Sequence, residues 1–344
     1  MSISRWRQLF DVRPGFLDTA TVGIPPRSAA DAIDLVLTDW RRGDLKAADF
    51  DEYVARSRLA WAQLCGIEQS RVAIGSTVSE LVGQVASSLS DNAHVLIAQG
   101  EFTSLLFPFL AQRSRGVQVN EVPLSRLTES VDDSFDLVAV SAVQSSSGQI
   151  TDVCELVEIA CNHQVRVLVD TTQSCGWLPL DASTVDYTVC AAYKWLLCPR
   201  GVAFMSVRPE RLGALIPHSA GWYAGQDVWS SIYGGPMRLA TDARRLDTSP
   251  AWFSWIGAAY ALESLVSMSP ELIHSHNVRL ANDFLKGLDR PPQSSAIVTL
   301  DLPGAAEKLA AQHVRVATRA GRIRASFHLY NDDADVSAAI AALT

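Results

Sequence analysis

Basic charge is in short supply in this chain: 29 Lys and Arg face 37 Asp and Glu, for a net charge of −8. Such an acidic balance excludes the basic face that general nucleic-acid binding requires. Lysine itself is rare, occurring only at Lys46, Lys194, Lys286 and Lys308. Long apolar runs are missing too. The longest, such as 137–143, are strand-sized, well short of the roughly 18 residues of a membrane span. No membrane partner is therefore expected. The opening MSISRWRQLF has neither the apolar stretch nor the small-residue cleavage site of a signal peptide.

Paired cysteines are absent as well. Cys65, Cys154, Cys161, Cys175, Cys190 and Cys198 form no CxxC pair. They read as reduced thiols of a cytoplasmic protein. Zinc signatures, GxGxxG, the Walker A pattern and GxSxG do not occur. The one close histidine pair, His274 and His276, is spaced i,i+2 on an expected helix, so the rings face different ways. No metal site is expected. Low-complexity tracts and 20–50-residue repeats are missing, which argues against solenoids and propellers.

What is present is a globular composition: 48% hydrophobic and 19% charged over 344 residues, enough for a large core and two domains. Short β-branched runs at 71–74, 94–98, 117–122, 136–140, 165–169, 187–190 and 202–207 are mostly separated by helical stretches such as 78–89, 104–112 and 152–163. Strand–helix alternation predicts an α/β fold with a mostly parallel seven-stranded sheet covered by helices on both faces. Ligands in such sheets sit at the carboxyl ends of strands. Earlier helices are expected at 27–42 and 52–64, later ones at 254–266 and 271–288. The tail reads as a smaller α+β domain: strands at 296–302, 314–317 and 323–328, helices at 305–312 and 334–343. The expected division is a large domain at 16–256 and a small one at 257–344, with residues 1–15 packing on the latter.

Three sites carry chemistry. The strand at 165–169 ends in Asp170, on the ligand face. Lys194 lies between an Ala191-Ala192 run and Trp195, a setting that desolvates an amine, lowers its pKa and makes it nucleophilic. Gly75-Ser76-Thr77 separates a strand from a helix, offering hydroxyls, free N–H groups and the positive dipole end to an anion. Taken singly, the plainer readings are a turn-capping acid, a loop lysine and a threonine N-cap. Together the three match the needs of one cofactor, pyridoxal 5′-phosphate: a Schiff-base lysine, a carboxylate for the pyridinium nitrogen and a phosphate cup.

The order GST, EF, DTTQS, YKW, PRG and RASFHLYN resembles class V aminotransferases, within the fold-type I pyridoxal-phosphate superfamily. Relatives include cysteine desulfurases, isopenicillin N epimerase-like proteins, kynureninases and C–S lyases. The resemblance implies roles residue by residue. Lys194 matches the Schiff-base lysine and Cα proton shuttle, Asp170 the pyridinium partner, and Gln173 the contact to the phenolic oxygen. Ser76 and Thr77 match the phosphate turn, Phe102 the stacking ring, and Gln144 the Asn/Gln cofactor contact. Tyr193 stands where histidine is common and would reach the phosphate through its hydroxyl. Thr248 resembles a residue that reaches the phosphate across a dimer interface, implying a homodimer with shared sites. Arg324 matches the arginine that clamps the substrate α-carboxylate. Trp222 and Tyr223, in an aromatic stretch that also holds Trp229, Tyr233, Trp252 and Trp255, are expected to line the pocket for the substrate side chain or to pack at an interface.

The implied activity is amino-acid chemistry through an external aldimine and a Cα carbanion. Cysteine desulfurases need a nucleophilic cysteine before the final arginine strand, and no cysteine follows Cys198 here. The expectation is β-elimination from an S-substituted cysteine (a C–S lyase) or transamination. The alternatives are an epimerase, a desulfurase-like enzyme and, in another class, a non-catalytic protein that merely binds the cofactor.

Overall fold

The computed structural model describes residues 3–344. Seven strands form the main sheet: β1 (Val72–Gly75), β2 (His94–Ala98), β3 (Gln118–Val122), β4 (Leu137–Ser141), β5 (Arg166–Asp170), β6 (Tyr187–Ala191) and β7 (Ala203–Val207). Their spatial order is β1-β7-β6-β5-β4-β2-β3. Only β7 runs against its neighbours β1 and β6; the other pairings are parallel. The expected seven-stranded, mostly parallel sheet is what forms. Because six strands share one direction, β1, β2, β4, β5 and β6 all deliver their carboxyl ends to the same edge.

Burial follows from position in the sheet. Strands β4, β6 and β7 are buried along their whole length, so their sequences read as continuous apolar runs rather than alternating ones. Edge strand β3 (QVNEV) is largely exposed, and its polar residues suit an unpaired edge. Within β2 and β4 the side chains alternate. Val95, Ile97, Leu137 and Ala139 join the core under helices α4 (Val78–Ser87) and α5 (Thr103–Leu110), while Leu96, Ala98, Val138 and Val140 pack toward α6 (Val153–Asn162).

A third layer covers the β1–β7 end. Helices α2 (Arg27–Arg42), α3 (Asp51–Leu64) and α8 (Trp252–Val266) pack together there. Trp61 stacks on Phe204 at 5.1 Å, and Trp255 meets the same ring edge-on at 5.4 Å. The division expected after residue 256 falls inside α8. Beyond it come α9 (Pro270–Lys286), capped by Ser269, and a three-stranded sheet ordered β8-β10-β9. Its strands are β8 (Ile297–Leu300), β9 (Ala317–Arg319) and β10 (Arg322–Ser326), with α10 (Ala305–Ala311) and α11 (Asp333–Leu343) against them. Strand β9, expected at 314–317, therefore starts at residue 317 and ends at 319. Val314 instead follows α10 and is buried in the apolar cluster around Phe284 and Phe327.

Chain segments remote in sequence are stitched to the site edge. Gly23 N–H donates to the Tyr193 carbonyl at 2.9 Å, and a Cβ at Gly23 would collide with the Lys194 carbonyl. Only glycine lets the amino-terminal segment lie this close to the lysine loop. Arg7 pairs with Asp332, and Gly15 N–H donates to Asp335 at 2.6 Å, which ties the amino-terminal segment to the start of α11. A buried pair, Arg58–Asp247 at 2.6 Å, holds the segment before Thr248, and Asp247 also accepts from Ile74 N–H at 2.9 Å. Among the described residues, no helix is long and apolar enough to cross a membrane.

Candidate active site

The shared strand edge opens into a cavity of about 310 Å³, within the range of small-molecule sites. Its wall holds Ser76, Thr77, Phe102, Asp170, Gln173, Tyr193 and Lys194. These are seven of the residues that the sequence marks, drawn from the ends of β1, β2, β5 and β6.

Lys194 follows β6 and is only 6% exposed. Its amine sits 5.3 Å from the Phe102 ring centroid and 5.7 Å from that of Tyr193. Burial lowers its pKa to about 8, with Asp170 opposing the shift and the Arg324 charge adding to it. A neutral amine is thus accessible near physiological pH, as a nucleophile or base needs. Phe102 is 49% exposed, so its ring stands at the cavity rather than in the core.

Asp170 closes β5 and is buried. It accepts from Thr172 N–H at 2.8 Å. Desolvation pushes its carboxyl above the ordinary aspartate range, while the Thr172 hydrogen bond and the Lys194 charge pull it back. Gln173 is held from three sides: its amide donates to the Ala20 carbonyl (3.0 Å) and to Ser145 Oγ (3.1 Å), and its carbonyl accepts from Trp195 Nε1 (2.8 Å). Thr77 caps α4 by accepting from Glu80 N–H at 3.2 Å, while Ser76 N–H donates to the Glu80 carboxylate at 2.8 Å.

Arg324 projects from β10 with 1% exposure. It donates to the Ser145 carbonyl (2.6 Å), Ser145 Oγ (3.1 Å) and Thr21 Oγ1 (2.8 Å), while its buried Nε has no partner. No carboxylate forms an ion pair with it among the described residues, and desolvation lowers its pKa to about 10. A buried guanidinium without a counter-ion is a costly arrangement. It suits an incoming carboxylate, which would supply both charge and a bidentate fork.

Other marked residues lie elsewhere. Gln144 does not line the cavity: its amide donates to Glu101 at 2.6 Å. Ser145 stands at the cavity wall instead. Strand β4 ends at Ser141 and a turn follows, closed by Gly148 N–H donating to the Gln144 carbonyl at 2.8 Å; it brings Gln144 to the same Glu101 carboxylate as Ser141 and leaves Ser145 and Ser141 at the cavity wall. Thr248 donates its backbone N–H to Ile74 O at 3.2 Å and buries an unpartnered hydroxyl away from this chain's cavity. Trp222 and Tyr223 do not reach that cavity either. Tyr223 is buried and donates to Asp51 at 2.9 Å, Trp229 Nε1 donates to the same carboxylate at 2.8 Å, and Trp222 packs between the two rings.

Sequence reasoning missed three residues. Ser145 lies in the turn after β4, where no strand period extends to mark it. Arg200 lines the cavity with its guanidinium 5.4 Å from the Tyr193 ring; its signal was the position six residues after the lysine. Glu101, buried just before Phe102, accepts from Ser141 N–H (2.7 Å) and Gln144. Burial and the nearby Asp170 raise its pKa against those hydrogen bonds.

Fold and site together define a fold-type I pyridoxal-phosphate enzyme. A model of the family described as aminotransferase class-V matches residues 46–311. The chain belongs to this family, and its cofactor is pyridoxal phosphate. It is 28% identical to an uncharacterized aminotransferase of Bacillus subtilis (strain 168), covering 98% of this chain and 96% of that one. It is 26% identical to isopenicillin N epimerase of Streptomyces clavuligerus, covering 93% and 86%. Among solved structures, a complex of the cystine C–S lyase C-DES with cysteine persulfide superposes with a TM-score of 0.87 at 22% identity, over 96% and 97% of the two chains. The cysteine desulfurase CsdA from Escherichia coli does so at 0.85 and 19%, over 99% and 97%.

The residues present fit the cofactor. The donor set at the start of α4 suits its phosphate, the buried amine its aldehyde, and the buried Asp170 carboxylate its ring nitrogen. With Lys194 as the expected Schiff-base lysine, uptake of the cofactor would need its amine unprotonated. With the amine pKa lowered to about 8, the protonated fraction dominates below that value and vanishes above it. The rate of cofactor uptake by the apoprotein is therefore expected to climb about tenfold per pH unit below 8 and to level off above it. Stopped-flow absorbance would record this; a flat profile through pH 8 would be inconsistent with the lowered pKa.

Proposed function

We propose that this enzyme catalyses β-elimination from an S-substituted cysteine, working as a homodimer. Bound pyridoxal phosphate supplies an electron sink for negative charge developing at the substrate Cα. Arg324 holds the substrate α-carboxylate, and Gln173 and Ser145 fix the arginine and the floor of the site. Lys194 in its neutral form removes the Cα proton. Asp170 keeps a positive charge favourable at the ring nitrogen it faces. The C–S bond breaks with the electron pair leaving on sulfur, and the remaining three-carbon unit hydrolyses to pyruvate and ammonia.

The observation that carries this reading is the distribution of thiols. No cysteine follows Cys198. Cys175, Cys190 and Cys198, in the segments that flank Asp170 and Lys194, are buried with pKa values raised well above the ordinary thiol range, Cys190 and Cys198 chiefly by burial and Cys175, against a lowering contact from Cys190, by Cys65 and burial. A sulfur acceptor must be an accessible thiolate at the site; the exposed Cys154 and Cys161 lie on α6 and do not line the cavity, so persulfide-forming desulfuration is disfavoured.

Thr248 and the Trp222–Tyr223 segment, placed off this chain's own cavity, are proposed to serve the subunit interface, Thr248 by reaching the partner's phosphate cup.

Incubation of the holoenzyme with S-methyl-L-cysteine is expected to release pyruvate, ammonia and methanethiol in equal amounts without any 2-oxo acid. A strict requirement for a 2-oxo acid would replace this reading with transamination. Exchange of the Cα hydrogen for deuterium with no pyruvate would replace it with epimerisation.

A further inference from the structure

The three-stranded sheet presents an unusual face. In the β9–β10 register Arg319 lies directly opposite Arg322, and Arg324 opposite Ala317. Cross-strand partners and i,i+2 neighbours share a face, so Arg319, Arg322 and Arg324 project to the same side. Like charges directly opposite one another destabilise a strand pair. None of the three arginines forms an ion pair with a carboxylate among the described residues, although other arginines of the chain do so repeatedly.

Two of them converge. Arg324 donates to Thr21 Oγ1 at 2.8 Å, and Arg319 donates to the same oxygen at 3.1 Å. One neutral hydroxyl accepts from two guanidinium groups and cancels the charge of neither. Asp18, whose field reaches Arg324, is engaged with Arg315 at 3.4 Å and is beyond ion-pair distance of both. Arg324 donates to Ser145, which lines the cavity, and shares Thr21 with Arg319, so the pair stands directly behind the cavity wall and not on a remote surface. Arg324 is buried with an orphaned Nε, and Arg319 is half-buried.

We infer that the substrate of this site carries a second carboxylate on its side chain, which Arg319 receives while Arg324 takes the α-carboxylate. The inference rests on the amino-acid reading of the site given above and names the substrate class within it. A single α-carboxylate can neutralise one guanidinium through a bidentate fork. It leaves the other arginine with only Thr21 and the Thr318 carbonyl, to which Arg319 donates at 2.8 Å. A diacid satisfies both. The short Ala320–Gly321 turn, with both residues at positive φ, folds β9 back on β10 and keeps the two guanidinium groups together.

The test compares isosteric partners that differ only in the second charge: S-carboxymethyl-L-cysteine against S-carbamoylmethyl-L-cysteine, and L-glutamate against L-glutamine. Binding is read from the change in the visible cofactor band of the holoenzyme, and kcat/KM is read for the cysteine pair. The wild-type protein is expected to bind each acid at least about tenfold more tightly than its amide. In Arg319→Gln this acid-to-amide ratio falls to near one, and Arg319→Lys retains part of it. Circular dichroism and the visible band verify that the variants fold and load. No acid preference in the wild type would overturn the inference, as would a ratio that survives Arg319→Gln. Failure of the underlying reading looks different: no amino acid would then perturb the cofactor band at all.

Discussion

Lys194→Ala is expected to fold with an unchanged circular dichroism spectrum and yet lose turnover by on the order of 10⁴-fold, the upper range for removing a positioned proton-transfer group. The variant would bind pyridoxal phosphate only through the contacts of Ser76, Thr77, Asp170 and Gln173, and dialysis would remove it. The size of the effect follows from how little can substitute. The chain has four lysines, and the other three, Lys46, Lys286 and Lys308, are exposed. None shares the burial that brings the Lys194 amine down to about 8. Added methylamine should restore a measurable part of the activity, because the cavity left by the side chain admits a small base. Turnover within tenfold of wild type would mean that Lys194 is not the proton-transfer group.

Asp170→Asn is expected to lower kcat by about 10²–10³-fold, the scale seen when one preorganised electrostatic group is removed. The substitution keeps the shape and an oxygen for the Thr172 N–H that donates to Asp170 at 2.8 Å, so the loss reports charge and not packing. A second signature separates this from a structural role. Asp170 raises the Lys194 pKa against burial; without that charge the amine pKa falls further. The rising limb of cofactor uptake in Asp170→Asn is therefore expected to move to a pH below that of wild type. An unchanged limb together with near-normal kcat would reduce Asp170 to a turn cap.

Much of this site is legible in the sequence because it is written in short-range patterns. Asp170 ends an apolar strand, Lys194 follows one, and Ser76-Thr77 separates a strand from a helix. Each inference needs only a dozen contiguous residues and the rule that parallel strands collect their carboxyl ends at one edge. The mismatch at residue 144 arises in the turn after β4, where strand periodicity no longer applies: Gln144 bonds Glu101 and Ser145 stands at the cavity. The arginine pair depends on Thr21, separated from Arg324 by 303 positions and from Arg319 by 298. No local pattern encodes a contact at that range.

The aromatic segment shows the limit of composition as a guide. Trp222, Tyr223 and Trp229 stand out in the sequence as a pocket lining. In the fold the polar ends of Tyr223 and Trp229 find Asp51 at the start of α3, with Trp222 packed against both rings. Buried tyrosine and tryptophan need a partner for the O–H or N–H, and the carboxylate that answered lies 172 residues upstream of Tyr223. Of Trp222, Tyr223 and Trp229 only Tyr223 is buried, while Trp229 and Tyr233 stay exposed, so aromatic content alone fixed neither burial nor partner.

Lys194 is proposed as the residue that holds pyridoxal phosphate. Sodium borohydride reduction of the holoenzyme, followed by proteolysis and mass spectrometry, tests it most directly. The account predicts one modified peptide, carrying the reduced phosphopyridoxyl group on Lys194 between Tyr193 and Trp195. A group found on Lys46, Lys286 or Lys308, or no modified lysine in protein that has taken up the cofactor, would contradict it.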